Sequence, residues 1–185
     1  FMKDATNPFG PWGLTPELLE EALSRALSGG GVWAELFFER TASTAIVREG
    51  KKLERIQEGF DRGVGLRVIF DLRTAYGYTT HDDPKSLFAL ADQVAQQVRA
   101  ASSGNAPVKR ARSDWKTRTA ALQGHRVKLD PREAPLRERA RIAERIEAGA
   151  LGEFPEARQV MSVARNAHRE LLLVNSDGLY ARDQK

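Results

Sequence analysis

Residues 34–80 read AELFFERTASTAIVREGKKLERIQEGFDRGVGLRVIFDLRTAYGYTT, and their apolar side chains recur with a period of two. Starting from Val32, Ala34, Leu36 and Phe38 share one face while Glu35, Phe37 and Glu39 take the other, the alternation of a half-buried strand. Ser43 to Arg48 and Leu53 to Gln57 are two further strand-like runs, with Glu49 and Gly50 as the turn between them. Glu58 to Asp61 has the composition of a second turn. Gly63 to Phe70 follows, with Val64, Leu66, Val68 and Phe70 on a common face, and Thr74 to Thr80 adds a fifth strand that carries Tyr76 and Tyr78 together. Strand and turn succeeding one another at this spacing predict an antiparallel meander.

The segments on either side have the helical period. Thr15, Pro16 and Glu17 open a helix with a hydroxyl cap, a proline where no N–H is needed, and an acid at the positive helix end. Leu19, Ala22, Leu23, Ala26 and Leu27 continue it until Ser28 and three glycines stop it. After the meander, Asp82, Asp83 and Pro84 repeat the opening signal, and Leu87, Leu90, Ala91, Val94, Ala95 and Val98 form an apolar stripe suited to covering the sheet. Asp130 and Pro131 predict a third helix packing through Leu136, Ala140, Ala143 and Ile146. Beyond Pro155, residues 160–167 and 170–175 read as two strands, with His168 at the turn between them. Ser176, Asp177 and Gly178 then turn the chain into a last strand from Leu179.

The expected fold class is α+β: a largely antiparallel meander sheet covered by two or three helices. It forms one domain over residues 15–185, after a flexible lead over residues 1–14 in which Phe1 ahead of Met2 reads as an addition to the natural start. The last strand ends soon after its turn, which suggests a piece of a longer protein.

Composition narrows the function classes. The 185 residues are 41% hydrophobic and 29% charged, ordinary globular usage, and include no cysteine, so disulfides, thiolate metal sites and cysteine nucleophiles are excluded. No apolar run approaches the ~20 residues of a membrane span, and the opening FMKDATNPFGPWG lacks the basic flank and apolar core of a signal peptide. Cytoplasmic localisation is expected. The formal charge of +4 is uneven: residues 105–128 hold seven Lys or Arg against one Asp.

Few constellations carry chemistry. His81, Asp82 and Asp83 are neighbours, but adjacent residues ahead of a helix serve as turn and cap more often than as metal ligands, which come from several elements. His125 and His168 read as surface residues. There is no HExxH or HExxxH, no nucleophile elbow and no phosphate-binding loop, so no catalytic residue and no metal ligand is assigned. Gly63 and Gly65 in RGVGLRV lack the third glycine and following helix of a dinucleotide fingerprint. They are expected as structural turn positions, as are Asp177 and Gly178 in the hairpin turn. Lys109, Arg110, Arg112, Trp115, Lys116 and Arg118 could pair with phosphates and stack one base. A solvated basic loop is the favoured reading, because single-strand binders use several spaced aromatics.

Taken in order, AELFFER, the GVGLRV strand from Gly63 to Val68, AYGYTT from Ala75 to Thr80 with its alanine-rich helix, and ELLLVNSDGLYARD from Glu170 to Asp183 resemble the N-terminal region of the TldD/PmbA family. RGVGLRVI and AYGYTT look more like the TldD side. The resemblance implies a longer zinc metallopeptidase that degrades unfolded peptides as a homodimer or paralogue heterodimer, with its N-terminal region shaping the cavity and the subunit contact. It also implies zinc held by an HExxxH helix and a distal cysteine, neither of which this chain contains, so no cofactor is expected here and no catalytic role carries over. The family's older description, modulator of DNA gyrase, keeps a nucleic acid or DNA-associated partner as the lesser reading.

Overall fold

The computed structural model describes residues 9–102, 111, 114–117 and 133–185. The first two predicted helix openings form as their residues dictate. Helix α1 (Pro16–Leu27) is capped by Thr15, whose hydroxyl accepts the Leu18 N–H at 3.3 Å, and it ends at the glycines, where Gly30 takes a φ of 103°. Helix α2 (Pro84–Ala101) is capped by Asp83, which accepts the Ser86 N–H at 3.0 Å and the Ser86 hydroxyl at 2.6 Å. All eleven apolar residues predicted to face inward from α1 and α2 are buried.

The strands are β1 (Trp33–Glu49), β2 (Lys52–Phe70), β3 (Arg73–Thr79), β4 (Lys116–Thr117), β5 (Met161–Asn175) and β6 (Leu179–Gln184), joined in the order β3-β2-β1-β5-β6-β4. The five longer strands run antiparallel, and β4 lies parallel to β6. Together with α1, α2 and α3 (Leu136–Glu153) they make an α+β fold, as expected.

Strand continuity departs from the sequence reading. The turn expected at Glu58–Asp61 does not form, and β2 runs extended through it. Glu58 reaches Arg139 of α3 at 3.7 Å, and a Cβ on Gly59 would lie 3.1 Å from the Ser43 hydroxyl, so the partners of this segment, not its turn-like composition, decide its conformation. Likewise β5 is one strand. Arg169, expected at a turn, exchanges both backbone hydrogen bonds with Lys185 at 2.9 Å, a partner distant in sequence.

The real turns use positive φ. Gly50 and Lys51 (57° and 65°) close the β1–β2 hairpin one residue later than predicted, and Asp71 and Leu72 (45° and 60°) close β2–β3. Paired positive φ values are those of the two-residue hairpin loop that matches strand twist. Leu72 takes its place there fully exposed, at a conformation usually left to Gly or Asn.

Helix α3 also differs. Asp130 and Pro131 lie outside the described residues, but Glu133 to Pro135 are not helical and Pro135 precedes the first turn without a side-chain cap. Ala143 is buried as expected, with Glu147 one turn on, and this rotation leaves Ile146 and Leu136 exposed.

The chain divides into two compact units. The first comprises Phe1–Glu39, Arg62–Leu122 and Leu171–Asp183. Its core gathers the inward faces of α1 and α2 with Ala34, Leu36 and Phe38 of β1, Val64 to Phe70 of β2, and Leu172 and Val174 of β5. Phe9, Trp12 and Leu14 are buried in the same core, so the expected flexible lead does not extend over residues 9–14. Each large side chain buried this fully contributes about 1.5–3 kcal/mol. The second unit comprises Arg40–Asp61, Gln123–Glu170 and Gln184–Lys185. Its buried positions are few and mixed: Ile46 and Ala143 beside Thr44, Glu147 and Ser162.

Candidate functional site

The trio His81, Asp82 and Asp83 is occupied with local structure. The His81 backbone N–H donates to the Thr79 hydroxyl at 3.2 Å, Asp82 pairs with Arg62 at 3.2 Å, and Asp83 caps α2. The hydrogen bonds from Ser86, from its side chain first and then its backbone, hold the Asp83 carboxyl below the usual carboxylate range. His168 faces Glu170 at 3.3 Å within β5, and His125 lies outside the described residues. Among the described residues no three His, Cys, Asp or Glu side chains group to hold a metal ion. No hydrolytic step is assigned to the described donors.

Lys109, Arg110, Arg112 and Arg118 lie outside the described residues, and Lys116 is in β4. Trp115 packs against the core of the first unit, its ring edge-on to Phe9 at 5.4 Å, and Phe9 meets Tyr180 in the same way at 5.2 Å. Asp177 accepts the Trp33 indole N–H at 3.1 Å, and Gly178 turns with a φ of 78°. Gly63 and Gly65 sit inside β2 and form no turn. The Tyr76 hydroxyl occupies the space that a Cβ on Gly65 would need, so the missing side chain seats a cross-strand aromatic ring.

A feature that motif reading missed is the surface of the second unit. Residues 52–62 of β2 are exposed, including Leu53, Ile56 and Phe60. Helix α3 lies over the hairpin and is fixed by polar contacts. Glu147 accepts from Arg48 Nε at 3.1 Å and from the Lys51 backbone N–H at 2.6 Å, Arg139 donates to Thr44 at 2.9 Å, and Ser162 donates to the Ala143 carbonyl at 2.8 Å. Between α3 and the hairpin lies a groove of about 600 Å³ lined by Arg48, Leu53, Ile56, Leu136, Arg137, Ala140, Arg141 and Glu144. The only sequence signal for it was apolar residues set among charges in KKLERIQE, which exposed strands and surface helices share.

The candidate surface is thus an exposed length of β2 beside a groove, on a largely antiparallel sheet. Residues 34–98 match the family described as PmbA/TldA metallopeptidase domain 1, and over this stretch the chain is similar to that family. The fold is shared with candidate modulators of DNA gyrase from Bacteroides thetaiotaomicron (TM-score 0.65, 17% identity, 91% of this chain and 38% of that one) and Thermotoga maritima (TM-score 0.63, 14% identity, 91% and 36%). It is shared also with TldE from Thermococcus kodakarensis (TM-score 0.60, 15% identity, 90% and 36%). This chain thus spans well under half the length of those solved chains. No curated protein matches it.

Proposed function

We propose that this chain acts as the first domain of a TldD-type zinc peptidase, shaping the substrate cavity and the subunit contact for unfolded peptides without itself hydrolysing them. The observation that carries this reading is the domain 1 match over residues 34–98 on a fold that the solved relatives extend to more than twice this length. The length of β2 with no strand on one side among the described residues supports it further, since N–H and C=O groups at a sheet edge accept another strand. Reading the gene beyond Lys185 tests the proposal. A following HExxxH and distal cysteine, with chelator-sensitive cleavage of unfolded peptides by the whole protein, is the expected result. A frame that ends there or lacks the motif removes the peptidase assignment.

A second reading, nucleic-acid binding through Lys109, Arg110, Arg112, Lys116 and Arg118, draws on the charge of residues 105–128. It predicts a log–log salt slope that shrinks by about 0.7–0.9 for each phosphate-contacting cation removed. Binding unchanged when Arg110 and Arg112 are neutralised would dispose of it.

A further inference from the structure

Strand β2 has two neighbours over only part of its length. On one side β3 pairs with it from Val64, opposite Thr79, to Phe70, opposite Arg73. Along Lys52–Asp61 that side has no strand among the described residues. Alternate N–H and C=O groups there point away from β1, with no strand among the described residues to pair them. The groove runs beside this edge, on the side of the hairpin that α3 covers.

The lining is divided by chemistry. Leu53, Ile56, Leu136 and Ala140 are its apolar lining. At the rim, Arg48 is neutralised by Glu147 at 3.1 Å, while Arg137 and Arg141 are exposed, one turn apart on α3, and make no ion pair among the described residues. Glu144 is the single acid of the lining besides them. A strand added at the edge would lie about 4.8 Å from β2 and send every second side chain to the α3 side. Those inward positions would meet the apolar lining and the two exposed guanidinium groups.

We propose that the Lys52–Asp61 edge and its groove bind an extended peptide by strand addition, with selection for inward-facing apolar and acidic side chains in turn. Backbone pairing supplies a ladder that a nucleic acid cannot complete, and Arg137 and Arg141 favour carboxylates over ammonium groups. This goes beyond the peptidase reading, because it requires neither zinc nor the rest of a longer protein.

The test uses the 185-residue chain and fluorescein-labelled peptides of about eight residues, a common strand length. Leu and Glu take turns on one face and Thr fills the other, while the control carries Lys for Glu. Fluorescence anisotropy is expected to show the Lys peptide binding about tenfold more weakly or worse. Of two versions N-methylated at alternate residues, the one whose blocked N–H groups face β2 is expected to lose binding. The R137E/R141E variant, its fold checked by circular dichroism, is expected to reverse the preference, and R137A/R141A to abolish it. Equal binding of acidic and basic peptides, or undiminished binding of both N-methylated forms, would overturn the proposal. So would a dimer in sedimentation whose edge the acidic peptide cannot displace. Each of these failures leaves the domain 1 assignment intact.

Discussion

A Cβ on Gly29 would run into the backbone carbonyl oxygen of Ala95, so α2 passes this residue closer than any side chain permits. Gly29→Ala is expected to lower stability by about 2–4 kcal/mol, because backbone has to move, and the shift of the urea midpoint measures it. Gly65→Ala should cost only about 1 kcal/mol, since the obstacle is the far end of the Tyr76 side chain, which can swing. Asp83 gives a prediction in pH. Its folded-state carboxyl is held below its usual range by Ser86, so the cap's contribution is present above the unfolded value and is lost as pH falls through the depressed one. Asp83→Asn should flatten the acid limb of stability against pH while leaving neutral stability nearly unchanged. An unaltered acid limb would show that the cap is not linked to folding. Neither glycine announced its role in the sequence, because the atom each makes room for belongs to another element. The Asp83 cap was legible, since donor and acceptor are three residues apart.

Among the elements, α3 is held differently from α1 and α2, which are anchored by continuous apolar stripes. Its buried acid Glu147 ties down the hairpin tip through Arg48 and Lys51, and Arg48 returns a hydrogen bond to the Lys51 carbonyl at 2.9 Å. Glu147→Ala would leave a mostly buried guanidinium uncompensated and is expected to cost about 3 kcal/mol, with faster amide exchange at Gly50 and Lys51. Ile146→Ala, one residue away on the exposed face, should stay within about 0.5 kcal/mol. Exchange at the tip that is indifferent to Glu147 would refute this anchoring. Sequence periodicity places Ile146 in the core and passes over Glu147, because hydrophobicity alone cannot register a buried charge whose partner lies 99 residues away.

At the scale of the molecule, the first unit concentrates the large apolar core while the second buries few side chains, several of them polar. Amide protection in residues 64–70 is therefore expected to exceed that in residues 52–61 of the same strand by about two orders of magnitude or more, read by native-state hydrogen exchange. Equal protection along β2 would mean that the free edge is covered in solution. The sequence alone determined the α+β class, the start and inward face of α1 and α2, the Asp-Gly hairpin and the face shared by Val64 to Phe70, because each follows from residues at most a few positions apart. Tertiary structure alone decided that β2 and β5 run unbroken, that α3 turns Ile146 outward, and that Lys52–Asp61 has one neighbouring strand among the described residues. Those outcomes depend on partners far along the chain, such as Arg139 for Glu58 and Lys185 for Arg169, and no local pattern of hydrophobicity encodes which strand will arrive alongside.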